Sequence, residues 1–292
     1  WVVCLGALGV LRGAKAKDMA AYIAVGANNY EFVDNFAAPR LGTLHHLFQN
    51  LTACEVLIQV MGSSVNPADR YNDAYRIPKV IGSDISGIII DMQPNCTSRL
   101  QVGDAIWGDI GANALLLNGT KTKELGGYGQ YAVALESQIS HMPKNLNFTE
   151  AGVLPKVSLT SYKALVWYGG APWARSTTIL ILGGSGGTGS SGIQLAKAFG
   201  ADTIITTTSG ANAEYCKSLG ASRIIDYHKE NWWEVLIPGS VDVIYDCVGQ
   251  SGTADRALSL LPSGGYFVTI AGQLSQNPKE GVSQAFFINS DT

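Results

Sequence analysis

Residues 179–201, ILILGGSGGTGSSGIQLAKAFGA, place seven glycines between a β-branched apolar run and an amphipathic one. Glycine loses more conformational freedom on folding than any other residue, so this concentration needs a structural return. A strand, a glycine turn and a helix in that order supply one. In Gly184-x-Gly186-x-x-Gly189, the first glycine permits a tight turn. The second lets a pyrophosphate approach the backbone, and the third lets the helix pack closely on the strand. The unpaired N–H groups and the dipole at the helix start then attract phosphate. Gly183, Gly184, Ser185, Gly186, Gly187, Thr188 and Gly189 are thus candidate cofactor contacts. The same stretch satisfies G-x-S-x-G around Ser185, the form of a nucleophile elbow. That alternative needs an acid and then a histidine downstream. The only downstream histidine is His228, and Asp226 lies just two residues before it, so the triad cannot be completed in the required order.

The flanking sequence repeats the strand–helix texture. TILILGG, SGIQLAKAFG, DTIITTTSG, AEYCKSLG, SRIIDY, VDVIYDCVG, ADRALSLL and GGYFVTIAG alternate apolar runs with helical stretches, the mark of a parallel sheet covered on both faces. Before residue 150 the pattern is different. MAAYIAVG, EVLIQVMGSSVN, SGIIIDM, DAIWGD and GQYAVAL read as strands of a β-rich domain, and 109–127 reads as an irregular loop. The chain is therefore expected to be α/β: a substrate-type β domain over 17–150 and a doubly wound Rossmann sheet over 151–292.

Net charge is −3 and no basic run is present, which gives no electrostatic reason for nucleic-acid binding. No apolar segment is long enough for a membrane span. Residues 1–16, with the run VVCLGALGVL and Ala14-Lys15-Ala16, read as a leader candidate. With the sequons at Asn50, Asn95, Asn118 and Asn147 they make the secretory pathway one reading of the localisation, the others being mitochondrial and cytoplasmic, and the sequence does not choose among them. The five cysteines, at 4, 54, 96, 216 and 247, form no CxxC pair and read mostly as buried free thiols.

The strand after the glycine turn ends TTTSG, Thr206 to Gly210, without the acid that would bond an NAD ribose. A hydroxyl-rich end tolerates a 2′-phosphate, so NADPH is the expected cofactor. Thr208, Ser209, Asn212, Lys217 and Tyr227 are the candidate contacts there.

From about Met19 to Gly272 the sequence resembles the medium-chain dehydrogenase/reductase superfamily, in its zinc-free quinone oxidoreductase branch. The resemblance rests on SSVNPADRY (63–71), IPKVIGSDISGII (77–89), VGDAIWG, GGYGQYAV, MPKNLNFTEAGVLP, LTSYKAL, ILGGSGGTG, LGASRIIDY and YDCVG, in that order. It implies a GroES-like substrate domain joined to a Rossmann domain. It also implies NADPH-dependent reduction of a quinone or an α,β-unsaturated carbonyl by hydride transfer. Asn66 and Tyr71 match the family's substrate-side polar pair, with Tyr75 a second tyrosine candidate. Val248, Gly249, Ala271 and Gly272 match residues lining the nicotinamide, and Ser161 and Lys163 fall where the family's two domains meet. The zinc branch would carry a cysteine near Asn66 and His-Glu at Ser83-Asp84. Neither is present, so no metal is expected. Asp69 is expected to cap the turn that follows it rather than to take part in chemistry.

Three departures stand out. Lys156 occupies a position where relatives are usually apolar, and Asn212 one where some carry a phosphate-binding lysine. The family also continues past the point matching Thr292, returning to finish its first domain. A small-molecule substrate is the expected partner, and a homodimer is left open. A 2-enoyl thioester reductase and a catalytically weak NADPH-binding or interaction protein are the competing functions.

Overall fold

The computed structural model describes residues 2–3, 18–26, 29–42, 54–70, 78–97, 99–111, 113–115, 121–123, 126–174 and 176–288. The rest of the leader candidate, Tyr71, Tyr75, Cys4, and the sequons at Asn50 and Asn118 lie outside them. The chain divides between Lys156 and Val157 into two compact units. That is later than the break near 150 read from the sequence, because the short helix α1 (Phe148–Gly152) packs on the first unit's strands.

The first unit is antiparallel. Its strands are β1 (Val2–Val3), β2 (Asp18–Gly26), β3 (Asn29–Ala37), β4 (Glu55–Ser64), β5 (Lys79–Val80), β6 (Asp84–Met92), β7 (Ala105–Asp109), β8 (Asn113–Leu115), β9 (Lys121–Lys123), β10 (Tyr131–Leu135) and β11 (Ile139–His141). The main sheet runs β1-β4-β6-β7-β11, with β10 also on β4. Val56, Ile58, Ile85, Ile89 and Ile106 alternate inward from β4, β6 and β7 to form its core. A second sheet, β3-β2-β5, packs Met19, Ala21, Ile23 and Val80 with Tyr128. The 109–127 segment is not wholly irregular, since β8 and β9 pair as a hairpin within it.

The second unit begins within α2 (Pro155–Tyr162), which continues into a wider i→i+5 turn over Lys163–Tyr168. Its strands are β12 (Thr178–Leu182), β13 (Thr203–Thr208), β14 (Arg223–Asp226), β15 (Val243–Asp246), β16 (Tyr266–Thr269) and β17 (Ser283–Phe286). They form one parallel sheet in the order β14-β13-β12-β15-β16-β17. Helices α3 (Gly187–Ala198), α4 (Ala213–Leu219), α5 (Trp232–Val235) and α6 (Thr253–Leu260) connect them. Ile179, Ile181, Val243 and Tyr245 face one helical layer, while Leu180, Leu182 and Ile244 face the other. The strand order reverses beside β12, and ligands of such sheets bind outside the carboxyl ends of the strands at that point.

Two cysteines depart from the free-thiol expectation. Cys54 and Cys96 form a disulfide, Cα–Cα 4.8 Å, from the start of β4 to the loop after β6. Cys216 and Cys247 are free. No helix among the described residues is long and apolar enough to cross a membrane.

Candidate active site

The glycine turn sits at the switch point, between the end of β12 and the start of α3. Gly183 has a φ of +83°, which favours glycine. A Cβ on Gly184 would stand 2.0 Å from Thr206 Oγ1, and one on Gly189 would stand 2.1 Å from the Gly183 carbonyl. The first and third glycines therefore pack helix against strand. The second is different: a Cβ on Gly186 would meet only the Gly183 carbonyl, at 3.3 Å. Gly186 is the N-cap of α3 and has no side chain to cap that end with, and no cap from another side chain is seen among the described residues. The helix thus opens on backbone alone, an arrangement suited to an anion.

Beside the turn, Thr208 Oγ1 donates to Ser185 Oγ at 2.9 Å, and the Asn212 amide lies 3.4 Å from Ser185 Oγ and 3.3 Å from Ser209 Oγ. These four expected residues are brought together. Ser185 thus sits among hydroxyl and amide groups. Lys217 is instead tied to Glu214 at 2.8 Å on the surface of α4, and Tyr227 is exposed with its ring 4.4 Å from that of His228. Asp226, at the end of β14, lies beneath Gly210. The His228 backbone N–H holds its carboxyl below the usual range, aided by Lys229.

At the ends of β15 and β16 the backbone is shaped by a residue that sequence reading passed over. Asp246, fully buried, accepts from the N–H groups of Val248 and Gly249 through Oδ1, at 2.9 and 3.0 Å, and from Thr269 Oγ1 through Oδ2 at 3.0 Å. Thr269 Oγ1 in turn accepts from the Gly272 N–H at 2.9 Å and lies 3.3 Å from that of Ala271. Gly249, at φ +73°, has no room for a side chain, since its Cβ would stand 2.3 Å from the Ala271 carbonyl. Val248, Gly249, Ala271 and Gly272 are held together by this one buried acid. The YDCVG string contained the signal, an acid at the carboxyl end of an otherwise apolar strand. On α2, Ser161 Oγ donates to the Thr188 carbonyl at 2.8 Å.

The first unit carries a separate polar cluster. Asn66 follows β4 and is nearly buried. Its Nδ2 donates to Asp84 Oδ2 at 2.9 Å and to Ser64 Oγ at 3.1 Å. The chain that follows Asp69 lies outside the described residues beyond Arg70; within the short turn Pro67–Arg70, Asp69 reaches back and accepts from the Asn66 N–H at 2.7 Å. Asp69 also takes hydrogen bonds from Ser83 Oγ at 2.8 Å and Tyr128 Oη at 2.8 Å. Burial and the neighbouring Asp69 keep the Tyr128 phenol protonated. Lys156, unexplained in the sequence, forms a buried ion pair with Asp109 at 2.7 Å. Its backbone N–H donates to Asp84 Oδ1 at 2.7 Å. Burial pushes the Asp84 carboxyl up to about 6, against hydrogen bonds from Ser64 and Asn66 that favour the charged form.

Two family models match, an alcohol dehydrogenase GroES-like domain over residues 52–144 and a zinc-binding dehydrogenase domain over 187–291. The chain belongs to the medium-chain dehydrogenase/reductase superfamily. Among superfamily relatives, it is 35% identical over 229 residues to a 2-methylene-furan-3-one reductase of Solanum lycopersicum. It is 31% identical over 229 residues to a chloroplastic NADPH-dependent alkenal/one oxidoreductase of Arabidopsis thaliana. Each match covers 76% of this chain and 56% of the relative, so the chain spans little more than half the length of these relatives. In structure it is similar to the quinone oxidoreductase of Coxiella burnetii, with TM-score 0.68 and 27% identity, over 86% of this chain and 75% of that one. The doubly wound parallel sheet and the antiparallel GroES-like unit are thus the superfamily's two domains.

At the positions where zinc-dependent members of the superfamily place ligands, Asn66, Ser83 and Asp84 offer an amide, a hydroxyl and a carboxylate, all engaged in hydrogen bonds. A catalytic zinc site is built on thiolate, imidazole and carboxylate ligands, usually three of them. This donor set, without sulfur or imidazole, does not fit one. Among the described residues, Cys54, Cys96 and Glu136 gather potential ligand atoms, but the two sulfurs are bonded to each other.

Proposed function

We propose that the chain is the nucleotide-binding and substrate-side portion of a zinc-independent, NADPH-dependent reductase of quinones or α,β-unsaturated carbonyls. The observation that carries this reading is the uncapped start of α3 at the switch point of the sheet, where Gly186 leaves space that Gly184 and Gly189 do not. That cradle fits a pyrophosphate. The hydroxyl and amide cluster of Ser185, Thr208, Ser209 and Asn212 fits a ribose 2′-phosphate better than a bare 2′-hydroxyl. The plant relatives, one of them an NADPH-dependent alkenal/one oxidoreductase by name, support the same chemistry.

A bound nicotinamide would supply the hydride. The chain's own work is placement. The glycine turn and the first turn of α3 would hold the phosphates. The backbone segments fixed by Asp246 and Thr269 would hold the nicotinamide end. Asn66 supplies a substrate-side polar contact, and Tyr71, with Tyr75 as the second candidate, supplies a proton or hydrogen bond to the carbonyl oxygen. Fluorescence titration with NADPH and NADH, followed by turnover assays with an enal, a quinone and an enoyl thioester, tests the reading. Tight NADPH binding with turnover of the enal or quinone is expected. Binding of neither nucleotide overturns it, and tight binding without turnover makes the chain a binding module.

A further inference from the structure

Asn66 can present only one of its two amide ends to a ligand, and the structure shows which. Both hydrogens of Nδ2 are committed, to Asp84 Oδ2 and Ser64 Oγ. The backbone N–H is committed to Asp69 and the backbone carbonyl to the Asp69 N–H. Among the described residues the side-chain oxygen Oδ1 has no partner, although Asn66 is only 7% exposed. A buried acceptor without a partner is costly and calls for one. The orientation is not arbitrary: an ionised carboxylate accepts and cannot donate, so it is the nitrogen of the amide that must face Asp84.

Asp84 is itself held from every side. Ser64 Oγ donates to it at 2.5 Å and the Lys156 N–H at 2.7 Å. In the β6–β7 register it stands directly opposite Asp109. Like charges so placed repel, and Lys156 answers both acids, one through its ammonium and the other through its backbone. Across the turn, Asp69 and Tyr128 complete the surrounding ionisable groups among the described residues.

We propose that Asp84 is a positioning residue that turns the Asn66 amide so that Oδ1 is the atom offered to the ligand. The ligand group received there is then an N–H or O–H donor, such as the nicotinamide carboxamide or the hydroxyl of a quinol. Asn66 does not serve as the donor to a developing oxyanion. The inference rests on the proposed reductase activity for its effect on turnover but not for the orientation itself. Protonating Asp84 removes the acceptor that grips Nδ2 and frees the amide to turn over.

Two readouts test this. In the wild type, the Asn66 side-chain amide signals in a nitrogen–proton NMR spectrum should titrate with a midpoint near pH 6. Turnover should rise through the same range. In Asp84→Asn, the new amide nitrogen faces Asn66 and drives its amide to flip. Both titrations should vanish and kcat should fall on the order of a hundredfold, with Asp84→Glu recovering part of the loss. The 3-acetylpyridine analogue of NADPH, which lacks the carboxamide N–H, separates the two donors. A loss of affinity that Asn66→Ala abolishes assigns the carboxamide, and equal affinity assigns a substrate hydroxyl. An Asn66 amide signal that does not move between pH 4.5 and 7.5 overturns the proposal, as does an Asp84→Asn enzyme with wild-type kcat and pH profile. A titrating amide in a protein without turnover would instead sink the reductase reading alone.

Discussion

The two glycines that open and close the turn of α3 can be separated by experiment. In Gly189→Ala, the added methyl would stand 2.1 Å from the Gly183 carbonyl oxygen and 2.8 Å from both Gly183 C and Gly184 Cα, all of them backbone. Ordinary contact is about 3.5 Å, so helix and strand must part by more than ~1 Å at this point. The helix cannot retreat freely. Ile193 and Ala196 are fully buried in the layer shared with Ile181 and Tyr245, and Gly192 already lies against the Tyr245 ring. Overpacking of this kind costs about 1–3 kcal/mol, and the backbone nature of the clash favours the upper end. For a chain of this size that is a fall in Tm of roughly 3–5 °C. Gly186→Ala is the control: φ −75° and ψ 166° suit any residue, and the methyl meets nothing closer than 3.3 Å. At an N-cap alanine is worse than glycine by under about 1 kcal/mol, which the lower entropy of the unfolded alanine chain largely offsets, so its stability should stay within about 0.5 kcal/mol of wild type. Its methyl nonetheless projects where the phosphate is proposed to sit, so NADPH affinity should drop in both variants while Tm drops in only one. Circular-dichroism melts and fluorescence titrations check this. A Gly189→Ala protein with unchanged Tm, or wild-type affinity in both, would refute the assignment of packing to one glycine and ligand approach to the other.

Ser209→Asp puts an acid where the 2′-phosphate is expected and should shift preference toward NADH by about tenfold or more, read as the ratio of the two dissociation constants. Lys156→Met strands the buried Asp109 and should cost about 3–5 kcal/mol in urea unfolding, with Lys156→Met/Asp109→Leu recovering most of it. Reducing Cys54–Cys96, which closes a loop of sequence separation 42, should cost about 4 kcal/mol on the chain-entropy account. The Cys54→Ser/Cys96→Ser variant should then unfold at the midpoint of the reduced protein. The Asp84 carboxyl is raised from 3.8 to about 6 in the fold, so the folded state binds its proton more tightly. Stability from this group is complete below pH 4 and is lost as pH rises through 6, by up to about 3 kcal/mol. Asp84→Asn should flatten that part of the stability–pH curve.

What could be read in advance follows from how local each signal is. The turn from β12 to α3 was legible because three glycines, a β-branched strand and an amphipathic helix all lie within 23 consecutive residues. The strand β3, NYEFVDNFA, was not. It lies on the outside of its sheet with most side chains exposed or half-exposed, so its apolar residues do not alternate. The Cys54–Cys96 bridge was illegible for another reason, since its partners meet only once β4 and β6 have paired and brought the loop after β6 back to the start of β4. The candidate site shows the same division. The cofactor turn is one segment, whereas the surroundings of Asn66 come from the end of β4, the start of β6, the end of β7, Tyr128 and the first turn of α2. In the sequence, Lys156 is an oddity in an apolar position and Asp84 and Asp109 are two acids among many. The register of β6 on β7 makes the acids neighbours, and that pairing turns the lysine from an anomaly into a requirement. Two buried carboxylates side by side need a cation, and α2 begins where it can supply one. A change at any one of the three should therefore be felt at Asn66, and combined changes that remove the charges together should be felt less.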